Sequence, residues 1–269
     1  MSAPGFSLSL RLTRGALSLE VAGVQAPPAL CVLGPNGAGK TTLVRALLGA
    51  VPLSSGRVEV GGALLDDTQG RVRVPLQERR LAYVPQGYGL FPHFTVLENL
   101  TFALGRRDPR ALGARSRERL DAAIARFELG PLLARRPGAL SGGEKQRVAL
   151  GRALALEPRA ILLDEPLAAL DPVSRRETRA ELAAALGELG LPTLLVTHDA
   201  ADALALGDCA VVLEGGRVTQ VGPPAELQRA PATAFVAAFF AAPFAVAETA
   251  RPPSAGAALA SAGGASHTD

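Results

Sequence analysis

Gly34-Pro35-Asn36-Gly37-Ala38-Gly39-Lys40-Thr41-Thr42 limits what this chain can fold into more than any other stretch. It fits G-x-x-x-x-G-K-[ST], and its flanks are those the pattern needs. Ala29-Leu30-Cys31-Val32-Leu33 before it reads as a short buried strand. Thr41 to Gly49 after it reads as a helix with Leu43, Leu47 and Leu48 on its apolar side. A glycine-rich turn between strand and helix lets successive backbone N–H groups converge on one point. The helix N-terminus adds its partial positive charge there, so the loop suits phosphates. Lys40 supplies a mobile ammonium for the outer phosphates, and the Thr41 hydroxyl can ligate Mg²⁺. The alternative, a glycine-rich turn before an ordinary helix, leaves the full pattern and both flanks unexplained. The stretch is expected to bind a nucleoside triphosphate.

The 269 residues suffice for one large domain or two small ones. Hydrophobic residues make up 48%, yet no run approaches the ~20 apolar residues of a membrane span. Met1-Ser2-Ala3-Pro4-Gly5 lacks a charged-then-apolar signal pattern, so the chain is expected to stay in the cytoplasm. A net charge of +3 gives no nucleic-acid footprint. Cys31 and Cys209 sit in apolar runs and are expected to be buried free thiols.

In chain order, Phe6, Leu8, Leu10 and Leu12, then Leu17, Leu19 and Val21, alternate about Arg14-Gly15 as a half-buried hairpin. Residues 58–65 look like a second hairpin about Gly61-Gly62. Arg79 to Val84 reads as a strand ending at Pro85-Gln86. Residues 95–136 read as mostly helical, with Glu118, Arg119, Asp121 and Arg126 on a solvated face. Residues 160–163 and 193–196 are apolar strands, and 209–221 is a hairpin about Gly215-Gly216. A last helix is expected over roughly 224–241, with Leu227, Phe235, Val236 and Phe239. The Ala-, Gly- and Ser-rich stretch 246–269 reads as a disordered tail.

Ala160-Ile161-Leu162-Leu163-Asp164-Glu165 is a buried strand ending in two carboxylates. Ligands of parallel α/β sheets sit beyond the carboxyl ends of strands. Asp164 is therefore expected near the Mg²⁺ held by Thr41, with Glu165 closer to the outermost phosphate, where it can polarise water. Leu140-Ser141-Gly142-Gly143-Glu144 is the second diagnostic stretch. Ser141 and Glu144 form a capping box opening a helix. Two glycines in a first helical turn cost up to ~1 kcal/mol each, which makes sense if something must approach the backbone closely. A serine, bare N–H groups and a helix N-terminus form a second anion site.

Gly34–Thr42, Gln86, Leu140–Gln146, Ile161–Glu165, Ala168-Ala169-Leu170-Asp171 and Thr197-His198-Asp199 together resemble an ATP-binding-cassette (ABC) transporter ATPase, in that family's order and spacing. The resemblance covers about residues 6–241. It implies an α/β P-loop NTPase cassette: a mostly parallel sheet core, an antiparallel β subdomain and an inserted α-helical subdomain. The cassette would span 1–245, with the helical subdomain at 87–157. The implied cofactors are ATP and Mg²⁺. Gly34, Pro35, Asn36, Gly37, Ala38, Gly39, Lys40, Thr41 and Thr42 would bind the nucleotide, with Thr41, Gln86 and Asp164 on the metal. Glu165 would be the general base, with Gln86 as hinge glutamine and His198 as switch histidine. Ser141, Gly142 and Gly143 would contact the γ-phosphate on the opposite copy, and Asp171 would lie in the crossing loop, so that two copies close head-to-tail. His93 and His267 have no such support. Leu17 stands about where an aromatic residue usually stacks adenine, Ala168 replaces a frequent serine, and Glu144 replaces a usual glutamine.

Glu78–Gln86, Gly89–Asn99 and Pro231–Val236 resemble ATPases of bacterial binding-protein-dependent importers. The insert from Asp66-Asp67 to Val74-Pro75 is most like the molybdate and tungstate branch, with sulfate, ferric-ion and polyamine ATPases close behind. The resemblance implies a homodimer docked on two membrane permease subunits at the inner face of the cell membrane, with a separate solute-binding protein. Leu90, Phe91, Phe94 and Val96 are candidates for a groove that seats a permease helix, against the alternative of a core role. A non-transport cassette ATPase would carry coiled-coil insertions or two cassettes in one chain. A P-loop kinase would not need Ser141-Gly142-Gly143.

Overall fold

The structure is a computed structural model, and it describes residues 5–106 and 108–241. In chain order the strands and helices are β1 Phe6–Arg14, β2 Leu17–Ala26, β3 Ala29–Leu33, α1 Lys40–Leu47, β4 Ser55–Val60, β5 Ala63–Asp67, β6 Val72–Arg73 and β7 Leu81–Val84. Then follow α2 Val96–Ala103, α3 Ala114–Arg126, α4 Gly142–Leu154, β8 Ala160–Asp164, α5 Pro172–Leu189 and β9 Thr193–Val196. The remainder is α6 Ala200–Leu206, β10 Cys209–Glu214, β11 Arg217–Gly222, α7 Pro224–Arg229 and α8 Ala234–Ala241. Among the described residues no helix is long and apolar enough to cross a membrane.

One sheet runs through the molecule in the order β6-β5-β4-β1-β2-β11-β10-β3-β9-β8-β7. The β6-to-β2 end is antiparallel, and β10, β3, β9, β8 and β7 are parallel. This is the expected α/β cassette, with the antiparallel part continuous with the parallel part. Strand period divides the core in two. Cys31, Leu33, Ile161, Leu163, Leu195 and Val212 point toward α2, α4, α5 and α6. Leu30, Val32, Leu162, Leu194 and Val211 face α1 and the antiparallel strands, meeting Leu43, Leu47, Phe6 and Leu10. Cys31 and Cys209 are free and buried, and they belong to opposite faces.

Several expectations change in the structure. The last helix is two short ones, because Ala230 to Thr233, including Pro231, breaks the run between α7 and α8. Leu227, Val236 and Phe240 face the core, whereas Phe235 and Phe239 are only partly buried. Residues 95–136 are mostly helical, as expected, with α2 and α3 joined through a 3-10 turn at Pro109–Ala111. Arg119 leaves the solvated face to pair with Glu157. Val96 is fully buried, so of the four groove candidates it is a core residue. The tail 246–269, His267 and Met1–Pro4 lie outside the described residues.

Arg79 was expected to open a strand but stands before β7 as a buried side chain, 1% exposed. Its Nη1 donates to Leu47 O at 2.7 Å, its Nε donates to Val74 O at 2.8 Å, and its Nη2 lies 2.7 Å from Asp66 Oδ2. A cation at the C-terminal carbonyls of α1 complements the helix dipole. The insert after β5 therefore holds the far end of the helix whose near end is the phosphate loop.

Candidate functional site

The loop Gly34–Gly39 leaves β3 and enters α1 through glycines at positive φ, 149° at Gly34 and 105° at Gly39. Gly34 also has no room for a side chain, since a Cβ would stand 2.2 Å from Leu213 O. Gly39 precedes α1 in a left-handed conformation, no side chain caps that helix N-terminus, and its first turn holds no acidic residue. The first N–H groups and the positive end of the dipole are left for an external anion. Lys40 Nζ donates to Gly34 O at 2.6 Å and to Pro35 O at 3.0 Å. Burial pushes the Lys40 ammonium below its ordinary range, opposed by the charges of Glu165 and Asp164. Both carboxylates lie near enough to act on its charge, so strand end and loop belong to one site. Thr41 is exposed at the start of α1, and Leu17 lies against Gly39, where a Cβ would be 3.6 Å from Leu17 Cδ2.

Parallel register sets the carboxylates beside the loop: Val32 of β3 pairs with Val196 of β9, which pairs with Asp164 of β8. Asp164 is 8% exposed. Burial raises its pKa, as does the neighbouring charge of Glu165, while the Tyr83 hydroxyl, Lys40 and Arg45 oppose the rise. Tyr83 Oη donates to Asp164 Oδ2 at 3.2 Å. Glu165 follows in the left-handed region at φ 49°, held by its N–H donating to Val196 O at 2.9 Å. That backbone turn swings its carboxylate off the strand line. Gln86 Nε2 donates to Glu165 Oε2 at 3.0 Å, and His198 Nδ1 lies 3.4 Å from Glu165 Oε1. The structure thus brings Lys40, Asp164, Glu165, Gln86 and His198 together.

Ser141 and Asp171 stand elsewhere. Ser141 is the N-cap of α4, accepting from Glu144 N at 3.2 Å, while Glu144 Oε2 accepts from Ser141 N at 2.7 Å. The Ser141 hydroxyl keeps its own proton to donate. A Cβ at Gly142 would meet Leu170 Cδ2 at 2.0 Å, so the close neighbour of this glycine is a side chain of the same molecule. Gly143 meets only Thr178 Oγ1 at 3.6 Å. Asp171 caps α5 by accepting from Val173 N and Ser174 N, each at 3.1 Å. Among the described residues no hydrogen bond or ion pair joins Ser141, Gly142, Gly143 or Asp171 to loop 34–42.

Sequence reasoning missed a buried ion cluster behind His198. Asp202 accepts from Arg175 Nη2 and Arg179 Nε, both at 2.6 Å, and from Thr197 Oγ1 at 3.1 Å. Asp199 accepts from Ala201 N at 2.8 Å to cap α6. Only Thr197 and Asp199 belonged to a recognised motif. Arg175 and Arg179 are one helical turn apart, a spacing that puts both on one face of α5. It also missed Phe102 and Leu156. Phe91 packs on Phe102 and Phe94 with ring centroids 4.6 and 5.1 Å apart. Phe91, Phe102, Leu156, Gly89, Arg152 and Tyr83 line a groove of about 310 Å³. Phe102 remains 49% exposed and Leu156 45%.

The family model for ABC transporters matches residues 22–168, more than half of the 269. The sn-glycerol-3-phosphate import ATP-binding protein UgpC of Rhizobium meliloti is 41% identical over 218 residues, covering 80% of this chain and 59% of that protein. The maltose/maltodextrin import ATP-binding protein MalK of Salmonella typhimurium is 42% identical over 214 residues, covering 78% of this chain and 55% of that protein. The chain thus spans less than two thirds of the length of the curated relatives it matches. Among solved structures, cbiO1 of Clostridium perfringens, part of the ABC transporter complex cbiONQ, matches with a TM-score of 0.70 at 26% identity. That match covers 85% of this chain and 92% of the other. With the family model, the phosphate loop and the fold in agreement, the chain belongs to the ABC transporter family of ATP-binding proteins.

Proposed function

We propose that this chain is the ATP-hydrolysing subunit of an importer, working as a homodimer on two permease subunits that receive solute from a separate binding protein. It would lie in the cytoplasm, on the inner face of the cell membrane. The observation that carries the reading is Glu165, its two oxygens facing Gln86 and His198 beside Lys40. Glu165 takes the proton of the attacking water as general base. Each carboxylate oxygen has two lone pairs, so with Gln86 on one oxygen and His198 beside the other Glu165 can still accept from that water. Lys40 leaves the carbonyls of Gly34 and Pro35 for the phosphates, with the loop N–H groups around them. Ser141, Gly142 and Gly143 of the second copy supply the other half of the phosphate cradle, and Asp171 contributes to the crossing loop.

Mg²⁺ fits the residues present. Thr41, Gln86 and Asp164 offer hard oxygen donors, and the buried Asp164 carboxylate is a group whose desolvation a cation relieves. Mg²⁺ bound there would neutralise charge on the phosphates. We read 1–245 as the cassette, 87–157 as its helical subdomain and the groove at Phe91, Phe102 and Leu156, with Phe94 packed on Phe91, as the seat of a permease helix. The insert between Asp66 and Pro75 points to molybdate, whereas UgpC and MalK are named for sn-glycerol-3-phosphate and maltose or maltodextrin. We favour an organic solute of that kind.

Purification from its own cells tests the reading. The chain should co-purify with an integral-membrane permease, and deleting its gene should abolish uptake of labelled sn-glycerol-3-phosphate, maltose or molybdate. A chain recovered without any membrane protein, with uptake of all three unchanged, would overturn it.

A further inference from the structure

We infer that Tyr83 is a positioning residue for Asp164, holding its carboxylate in the orientation that takes the metal. The inference rests on the proposed role of Asp164 and extends it to a side chain that is not among the nucleotide-binding, metal or catalytic residues assigned above. Tyr83 is on β7, adjacent to β8, with Val84 paired to Leu163, so its ring stands beside the strand end that carries Asp164. Its hydroxyl donates to Asp164 Oδ2 at 3.2 Å. At that length the contact is a weak one that occupies a single lone pair, leaving the rest of the carboxylate open to a cation. Two residues at one strand end thus serve two neighbouring carboxylates: Tyr83 holds Asp164, and Gln86 holds Glu165.

Hydrogen-bond partners behind metal ligands are worth roughly 10–100-fold in metal affinity. Tyr83→Phe removes the hydroxyl while keeping a ring in a half-buried place, and it should fold. The measurement is ATP affinity by equilibrium titration, once with EDTA and once with saturating Mg²⁺, on wild type, Tyr83→Phe and Asp164→Asn. Tyr83→Phe should leave affinity in EDTA unchanged and remove most of the gain that Mg²⁺ gives. A full Mg²⁺ gain in Tyr83→Phe, with the gain lost in Asp164→Asn, overturns the inference. So does an equal loss with and without Mg²⁺, which is the mark of a merely structural ring. If Asp164→Asn itself keeps the gain, the proposed metal role of Asp164 fails instead, and the inference falls with it.

Discussion

Glu165→Gln should bind ATP as tightly as wild type and hydrolyse it roughly 10²–10⁴-fold more slowly, the usual contribution of a positioned general base. The substitution keeps size and shape, so the left-handed turn at φ 49° and the N–H bond to Val196 O are retained. What changes is proton affinity: an amide does not take a proton from water at neutral pH. An amide also offers one acceptor oxygen where the carboxylate offers two. It can still accept from Gln86 or face His198, but not both in the present geometry. ATP binding is left alone because the loop, Lys40 and α1 are unaltered. Phosphate release and equilibrium ATP titration give the two readings. Hydrolysis within threefold of wild type would remove Glu165 from the role of base.

Asp202→Ala should cost about 3–5 kcal/mol, the penalty for leaving a buried charge without its partner. Asp202 has a side chain only 2% exposed, and it answers two guanidiniums exposed to 16% and 11%. Removing it leaves Arg175 and Arg179 with Asp199 alone, whose oxygens lie at the longer distances of 3.4 and 3.5 Å. Thr197 loses its acceptor as well, and with it goes part of the turn that presents His198. For a protein of this size the loss corresponds to roughly 6–20 °C in Tm. Thermal unfolding followed by circular dichroism reads it directly. A shift under 2 °C would mean that water already reaches the cluster and screens it.

The parts legible in the sequence were those where local chemistry and tertiary role agree. The glycine turn before Lys40, the apolar run ending at Asp164 and the capping box at Ser141 each carry their reason within a few residues. Arg79 was illegible because an arginine before an apolar run looks like a strand edge. Only the fold reveals Asp66 and the end of α1 around it. The Asp202 cluster joins residues 23 and 27 positions apart, and Tyr83 meets Asp164 across 81. No periodicity reports such pairs. The break between α7 and α8 does have a local signal, since Pro231 lies in it and proline ends helices. At Gly142 the fold adds a reason for glycine that the sequence does not carry, since a Cβ there would meet Leu170 of the same chain.

In the proposed function one chain holds only half of the phosphate cradle, the other half being Ser141 and its glycines on a second copy. Light scattering on Glu165→Gln tests it most directly, because slow hydrolysis lets a closed state accumulate. The mass should be that of one chain without nucleotide and of two with Mg²⁺-ATP. Adding Ser141→Arg should return it to one by bulk at the shared phosphate. The same mass with and without ATP, in both variants and at high protein concentration, would contradict a site shared between copies.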